Sequence, residues 1–294
     1  MIQKRNLSNH IFDTFNVTLM VLVVIVTIYP LLFVVFASFS SPVGIYQAHG
    51  FLLFPREPHL EAYRIVFQNP SLLMGYRNTL FFVFFGTLIN LIMTSMGAYV
   101  LSRKNLMWKR PITLMILFTM YFSGGLIPLF LTVKQVGLMY SPMSILLVSA
   151  ISTWNLMIMK TSFQGISEEL IESARIDGAQ DFTILIRIMI PLSLPVLAVM
   201  ALFYGVGRWN SWFYEMIFLR RDWYPLQVVL QEILLKNTNV DYLKAVHASQ
   251  MEAMKLKDII KYAVIVMATV PILFSYPLLQ KYFVKGIMIG SLKG

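Results

Sequence analysis

The 294-residue chain is 57% hydrophobic and only 13% charged, carries a net charge of +10 and contains no cysteine. Soluble domains average about 45–50% apolar and about 25% charged residues, so lipid must solvate much of this chain, and disulfide or thiolate chemistry is excluded. The cations scatter along membrane edges and form no basic block, which argues against nucleic acid as a partner despite the net charge.

Taken in chain order, six charge-free apolar windows occupy residues 15–39, 78–102, 111–133, 135–159, 188–207 and 262–280. A helical membrane span needs roughly 20 such residues, and barrel strands would alternate instead, so the pattern predicts an all-α polytopic membrane protein with six transmembrane helices. The first window follows Lys4 and Arg5. Its apolar run exceeds the ~7–15 residues of a signal-peptide core and has no Ala-x-Ala end, so it reads as a retained first helix. Residues 1–14 and 286–294 then form terminal segments around a transmembrane domain at 15–285.

Orientation follows from the short connections. Arg103, Lys104, Lys109 and Arg110 crowd the connection after the second window, whereas the turn near Lys134 has a single cation. Positive-inside counting puts the first connection in the cytoplasm, and with it both termini.

Within the second to fifth windows Asn90, Thr94, Ser95, Ser123, Trp154, Asn155 and Tyr204 need an explanation other than lipid contact. Interhelical hydrogen bonding and pore lining both supply one. A hydroxyl-rich ring stacks its C–H face on Trp or Tyr and bonds its hydroxyls to Asn. Tyr204, Trp209, Asn210, Asn155, Trp154 and Asn90 are therefore the candidates for a substrate path, although Trp209 fits an interfacial aromatic belt equally well. Gly124, Gly125 and Pro128 predict a break in the third window, Pro191 and Pro195 mark the start of the fifth, and Pro271 and Pro277 sit in the sixth as candidate bends.

The connection at 161–187 departs from the charge rule, with Glu168, Glu169, Glu172, Asp177 and Asp181 next to Arg175. Anionic lipid would repel it, so it should project towards an aqueous partner. Ser167 is placed to cap a short helix, Glu168 and Glu169 suit the helix's positive end, and Asp177-Gly178 stops it. Leu170, Ile171 and Ala174 are expected on one face and the acids on the other. A second helix starts near Asp181, with Phe182 as an aromatic anchor, and runs into the fifth window. The alternative is a plain solvated loop.

Glu172-Ser-Ala-Arg-Ile-Asp-Gly-Ala179 followed by Ile188-x-Ile190-Pro191 resembles the cytoplasmic "EAA" signature of ATP-binding-cassette (ABC) importer permeases. Tyr121-Phe-Ser-Gly-Gly-Leu-Ile-Pro128 and Gly205-x-Gly-x-Trp-Asn-Ser-Trp-Phe213 are similar to the carbohydrate branch that handles oligo- and polysaccharide fragments, alginate fragments among them. The resemblance implies the type I ABC importer permease fold. It also implies that Glu172, Ser173, Ala174, Asp177, Gly178, Ala179 and Phe182 dock an ATPase, Ser173 replacing the usual second Ala. A second, related permease, two ATPase subunits and an extracytoplasmic binding protein would complete the assembly in a bacterial inner membrane, with residues 41–77 and the extracytoplasmic segment 208–258 expected to receive the binding protein. No cofactor is expected in this chain, since it lacks a Gly-x-x-x-x-Gly-Lys-Ser/Thr phosphate loop and Mg-ATP would bind the partner ATPases. The competing class is an ion-coupled secondary transporter, which wants an ionisable group inside a span; none of the six windows has one.

Overall fold

The computed structural model describes residues 7–235 and 259–274. Every regular element among them is helical. The chain forms two compact units, one from residues 1–69 and 232–270, the other from 70–231 and 271–294.

In the first unit α1 (Leu7–Ser38) is a 32-residue helix, long enough to cross a hydrocarbon layer of about 30 Å at 1.5 Å per residue. Apolar side chains remain exposed along most of its length, as a lipid-facing helix requires. Thr18 and Thr27 return their hydroxyls to the carbonyls of Thr14 and Val23 at 2.8 Å, so neither hydroxyl presents a free hydrogen to the lipid. At its C-terminal end Ala37 joins Ala48 and Leu52 in a small core beside α2 (Pro42–Gln47), and Tyr29 stacks on Phe51 at 5.3 Å. α3 (Glu61–Phe67) follows.

The second unit is built on α4 (Pro70–Ser102), a 33-residue helix without proline after its first residue. The third, fourth and fifth apolar windows each form two helices with a bend between them. α5 (Lys109–Tyr121) and α6 (Leu126–Gln135) meet at 116°, α7 (Pro142–Val148) and α8 (Thr153–Gln164) at 48°, and α10 (Asp181–Leu192) and α11 (Leu194–Asn210) at 86°. Among the described residues two helices are therefore long and apolar enough to span singly, and up to five spans result if each bent pair is one. Of the sixth window, α14 (Ile259–Phe274) is described and includes Pro271; Pro277 lies outside the described residues.

The first and third breaks lie where glycine and proline predicted them. Pro191 has no N–H to return to the ladder, and the turn before it widens to π-helix over Leu185–Met189. The break between α7 and α8 contains neither residue type and was not expected.

Two clusters hold this unit together. One gathers Tyr99, Met159, Phe163, Ile171, Ile184 and Met200; the other centres on Phe82, Ile145, Leu146 and Phe218. Beyond α11, which carries Arg208 to Asn210 in helical geometry, come α12 (Phe213–Phe218) and α13 (Leu226–Leu235). The buried Asn78 amide donates to the carbonyls of Asp222 and Tyr224, and Thr79 Oγ1 accepts from Leu226 N, fixing this segment against α4.

Candidate functional site

The acidic connection folds as α9 (Glu168–Ile176), a tight turn at Asp177–Gln180, and then α10. Gly178 lies at φ +82° in the left-handed region, and Ala179 N returns to Ala174 O at 2.9 Å, which closes the C-terminus of α9. Glu168 and Glu169 occupy its first turn as expected. Ser167 is at the N-cap but makes no side-chain capping bond, a correction to the expectation. The apolar face also divides differently. Ile171 is 1% exposed and packs with Ala174 and Ala179 onto the chain's own core, whereas Leu170 points outward with Ile176 and Phe182. Three leucine-sized or larger apolar groups thus stand among acids on the outer surface, Ile176 at 86% and Phe182 at 63% exposure.

One carboxylate ties this surface to the bundle. Tyr99 of α4 donates its hydroxyl to Asp181 Oδ1 at 2.7 Å, Arg175 of α9 bonds the same oxygen at 2.9 Å, and the Arg103 guanidinium sits 4.8 Å above the Tyr99 ring. The Tyr99 hydroxyl first, and Arg175 after it, hold the Asp181 carboxyl below the usual carboxylate range. A depressed value means that the contact is complete above the ordinary carboxylate pKa and is lost only as pH falls through the depressed one, so it stays ionised at neutral pH. Force on α9 therefore has a polar route into α4 as well as the covalent one through α10.

The second arrangement surrounds the unexpected break. Where a helix stops inside lipid, its last carbonyls and the next N–H groups lose their partners, and each unpaired group costs several kcal/mol. Asn90 of α4, fully buried, donates through Nδ2 to Ser149 O at 2.5 Å and Ala150 O at 2.8 Å. Its Oδ1 accepts from Arg208, whose Nη1 reaches Ile145 O at 3.0 Å and Nη2 reaches Ser149 O at 3.3 Å. The Tyr204 hydroxyl takes the N–H of Ser152 at 3.2 Å and pairs with Thr94 at 2.7 Å. Side chains of α4 and α11 thus replace the missing turn. A Cβ on Gly86 would come within 2.9 Å of Arg208 Nε, so glycine is what admits the guanidinium beside α4.

Against this brace lies a cavity of about 280 Å³ walled by Ser149, Ser152, Asn155, Tyr204, Arg208 and Ser211 together with Ile151, Phe203 and Gly207. Of the six path candidates, Tyr204 and Asn155 face this cavity, and Asn90 is behind its wall. Trp209 borders an apolar cavity with Thr87 and Gly205, Trp154 is 61% exposed beside Met157 and Thr161, and Asn210 is exposed with its amide on Val206 O. Arg208 was missed because it stands one residue outside a charge-free window.

Comparison with known proteins now places the chain. Polygalacturonan/rhamnogalacturonan transport system permease protein YtcP of Bacillus subtilis (strain 168) is 36% identical over 98% of this chain and 100% of its own length. Protein LplC of the same strain is 38% identical over 98% of this chain and 96% of its own length. Among solved structures, a chain of a bacterial ABC transporter involved in the import of the acidic polysaccharide alginate superposes with TM-score 0.87 at 33% identity, over 95% of this chain and 99% of that one. No model of a protein family matches the chain. The chain belongs to the carbohydrate ABC importer permeases. The permease is thus a membrane transport subunit and not an enzyme, and its fold is that of an ABC importer permease. The competing assignment to an ion-coupled secondary transporter falls with this membership.

Proposed function

We propose that the permease pairs with a second, related permease to form the path of an oligosaccharide delivered by an extracytoplasmic binding protein, and that two ATPase subunits drive it from the cytoplasm. The observation that carries the reading is the docking turn: an outward apolar trio among carboxylates, Leu170 and Ile176 on α9 and Phe182 on α10, with α9 closed at Gly178 and tied to α4 through Arg175 and Asp181. Their placement together among carboxylates, on a helix whose inner face is already packed, supports a protein cleft over them, where removing water from Phe182 is favourable. Glu172, Ser173 and Asp177 border the same exposed surface. Similarity to a permease named for polygalacturonan and rhamnogalacturonan, over the full length of both chains, supports fragments of acidic polysaccharides as cargo. Both termini and residues 161–187 lie in the cytoplasm in this reading, and 208–258 faces outward.

The test is uptake into proteoliposomes that contain the permease with its candidate permease and ATPase partners and receive the binding protein outside. Accumulation that requires enclosed ATP and survives collapse of the ion gradients is expected. Uptake that follows an ion gradient and ignores ATP overturns the assignment.

A further inference from the structure

We propose that the cavity at the α7–α8 break is a carboxylate-binding subsite on the path of an acidic oligosaccharide, read by Arg208 and Asn155. The inference rests on that importer reading and its acidic cargo, and adds to it the groups that sense the charge.

Arg208 is 8% exposed, lines the cavity, and has only neutral acceptors: Asn90 Oδ1 and the carbonyls of Ile145 and Ser149. Among the described residues no carboxylate lies within ion-pair distance of it. Glu215 is buried on α12 with one carboxylate oxygen on Ser211 Oγ, and its other oxygen has no hydrogen-bond partner among the described residues. Glu215 attracts the guanidinium at longer range without an ion pair, so Arg208 has a nearby counter-charge but none in contact.

A purely structural role accounts for the carbonyl contacts and, with Glu215 nearby, for part of the charge. A neutral amide such as Gln could serve those acceptors, whereas burying a cation costs several kcal/mol. A ligand carboxylate in the adjoining cavity would supply the direct contact that Glu215, which forms no ion pair, does not.

Two further features of the wall point to an anion. The 12-residue helix α8 begins there, with Ser152 as its N-cap, and so presents the positive end of its dipole and first-turn N–H groups that have no partner within the helix. Independently, Asn155 is 6% exposed and lines the cavity, while its side-chain amide makes no hydrogen bond among the described residues; its backbone N–H alone is taken, by Ser152 Oγ. A buried amide without a partner is costly unless a ligand or water completes it. The hydroxyls of Ser149, Ser152, Tyr204 and Ser211 line the same space. At about 280 Å³ the cavity falls just below the roughly 300–1,000 Å³ of drug-sized sites, so it suits one acidic sugar unit and not a whole oligosaccharide.

Asn155→Asp places a like charge at the subsite with almost no change in shape, and leaves the Arg208 brace intact. Uptake of trigalacturonate and of its neutral methyl ester is measured in the assembled transporter and expressed relative to wild type, so that the binding protein's own preference cancels. Stimulation of the ATPases by the binding protein reports assembly of the variant. Because juxtaposed like charges cost several kcal/mol, trigalacturonate uptake should fall at least about tenfold more than uptake of the ester. Equal losses for both probes, or no loss for either, overturn the subsite. A wild-type complex that moves neither probe with ATP overturns the acidic-oligosaccharide cargo on which the subsite rests.

Discussion

Arg208 and Gly86 are the residues on which the bundle's one unexpected break depends. The guanidinium reaches Ile145 and Ser149 only because α4 offers no Cβ at position 86; a methyl there would sit 2.9 Å from Nε. Gly86→Ala should therefore displace Arg208 and cost about 1–3 kcal/mol, the usual range for overpacking a filled interior. The same substitution in an Arg208→Ser background meets no guanidinium, and its cost should fall below about 0.5 kcal/mol, as expected when a coupled pair is broken. Thermal unfolding of the four purified proteins in one detergent measures the cycle. Additive effects would show that Gly86 is small for some other reason.

At the scale of elements, the sequence and the structure agree where local chemistry is decisive. Gly124 and Gly125 separate α5 from α6, and Pro191 and Pro195 flank the turn from α10 to α11, because each residue acts on its own backbone. The α7–α8 break was not legible, since its groups are satisfied by Asn90 and Arg208, about 60 residues away on either side. The acidic connection was legible as a helix, a turn and a second helix, while the direction faced by Leu170 was set by packing against α4 and α8 that no single-helix pattern encodes. Gly178 belongs to the legible part: its φ of +82° follows from the need to close α9. Nothing lies within 4 Å of the Cβ position there, so a substitution is strained by its backbone alone. Gly178→Val should loosen the closure by about 1–2 kcal/mol, the penalty of a left-handed L-residue. Hydrogen exchange of the α9 amides should then quicken roughly 5- to 30-fold, provided that they open locally and not with the whole bundle. Unchanged exchange would mean that the partner surface, and not Gly178, holds α9.

For the whole molecule the open question is which ends of the helices face the cytoplasm, and the chain's own composition makes this measurable. It contains no cysteine, so a single introduced thiol reports one position with no native thiol to remove first. Met107 and Ile176 are 77% and 86% exposed, and Val136 is 66% exposed on the turn after α6. Positive-inside counting puts Met107 beside Arg103, Lys104, Lys109 and Arg110 in the cytoplasm, two spans before the docking turn. In the proposed six-span arrangement an even number of crossings returns the chain to the same side, so Ile176 shares the compartment of Met107, and one crossing separates Val136 from both. In sealed right-side-out vesicles an impermeant maleimide should therefore label Val136→Cys, and should label Met107→Cys and Ile176→Cys only after the membrane is opened. The three bent pairs make this a stringent check, since a pair bent by 116° or 86° could enter and leave on one side as well as cross. Labelling of Val136→Cys together with Met107→Cys would show that α5 and α6 re-enter without crossing. Labelling of Ile176→Cys from outside would place the acidic surface away from any ATPase and remove the docking role from α9.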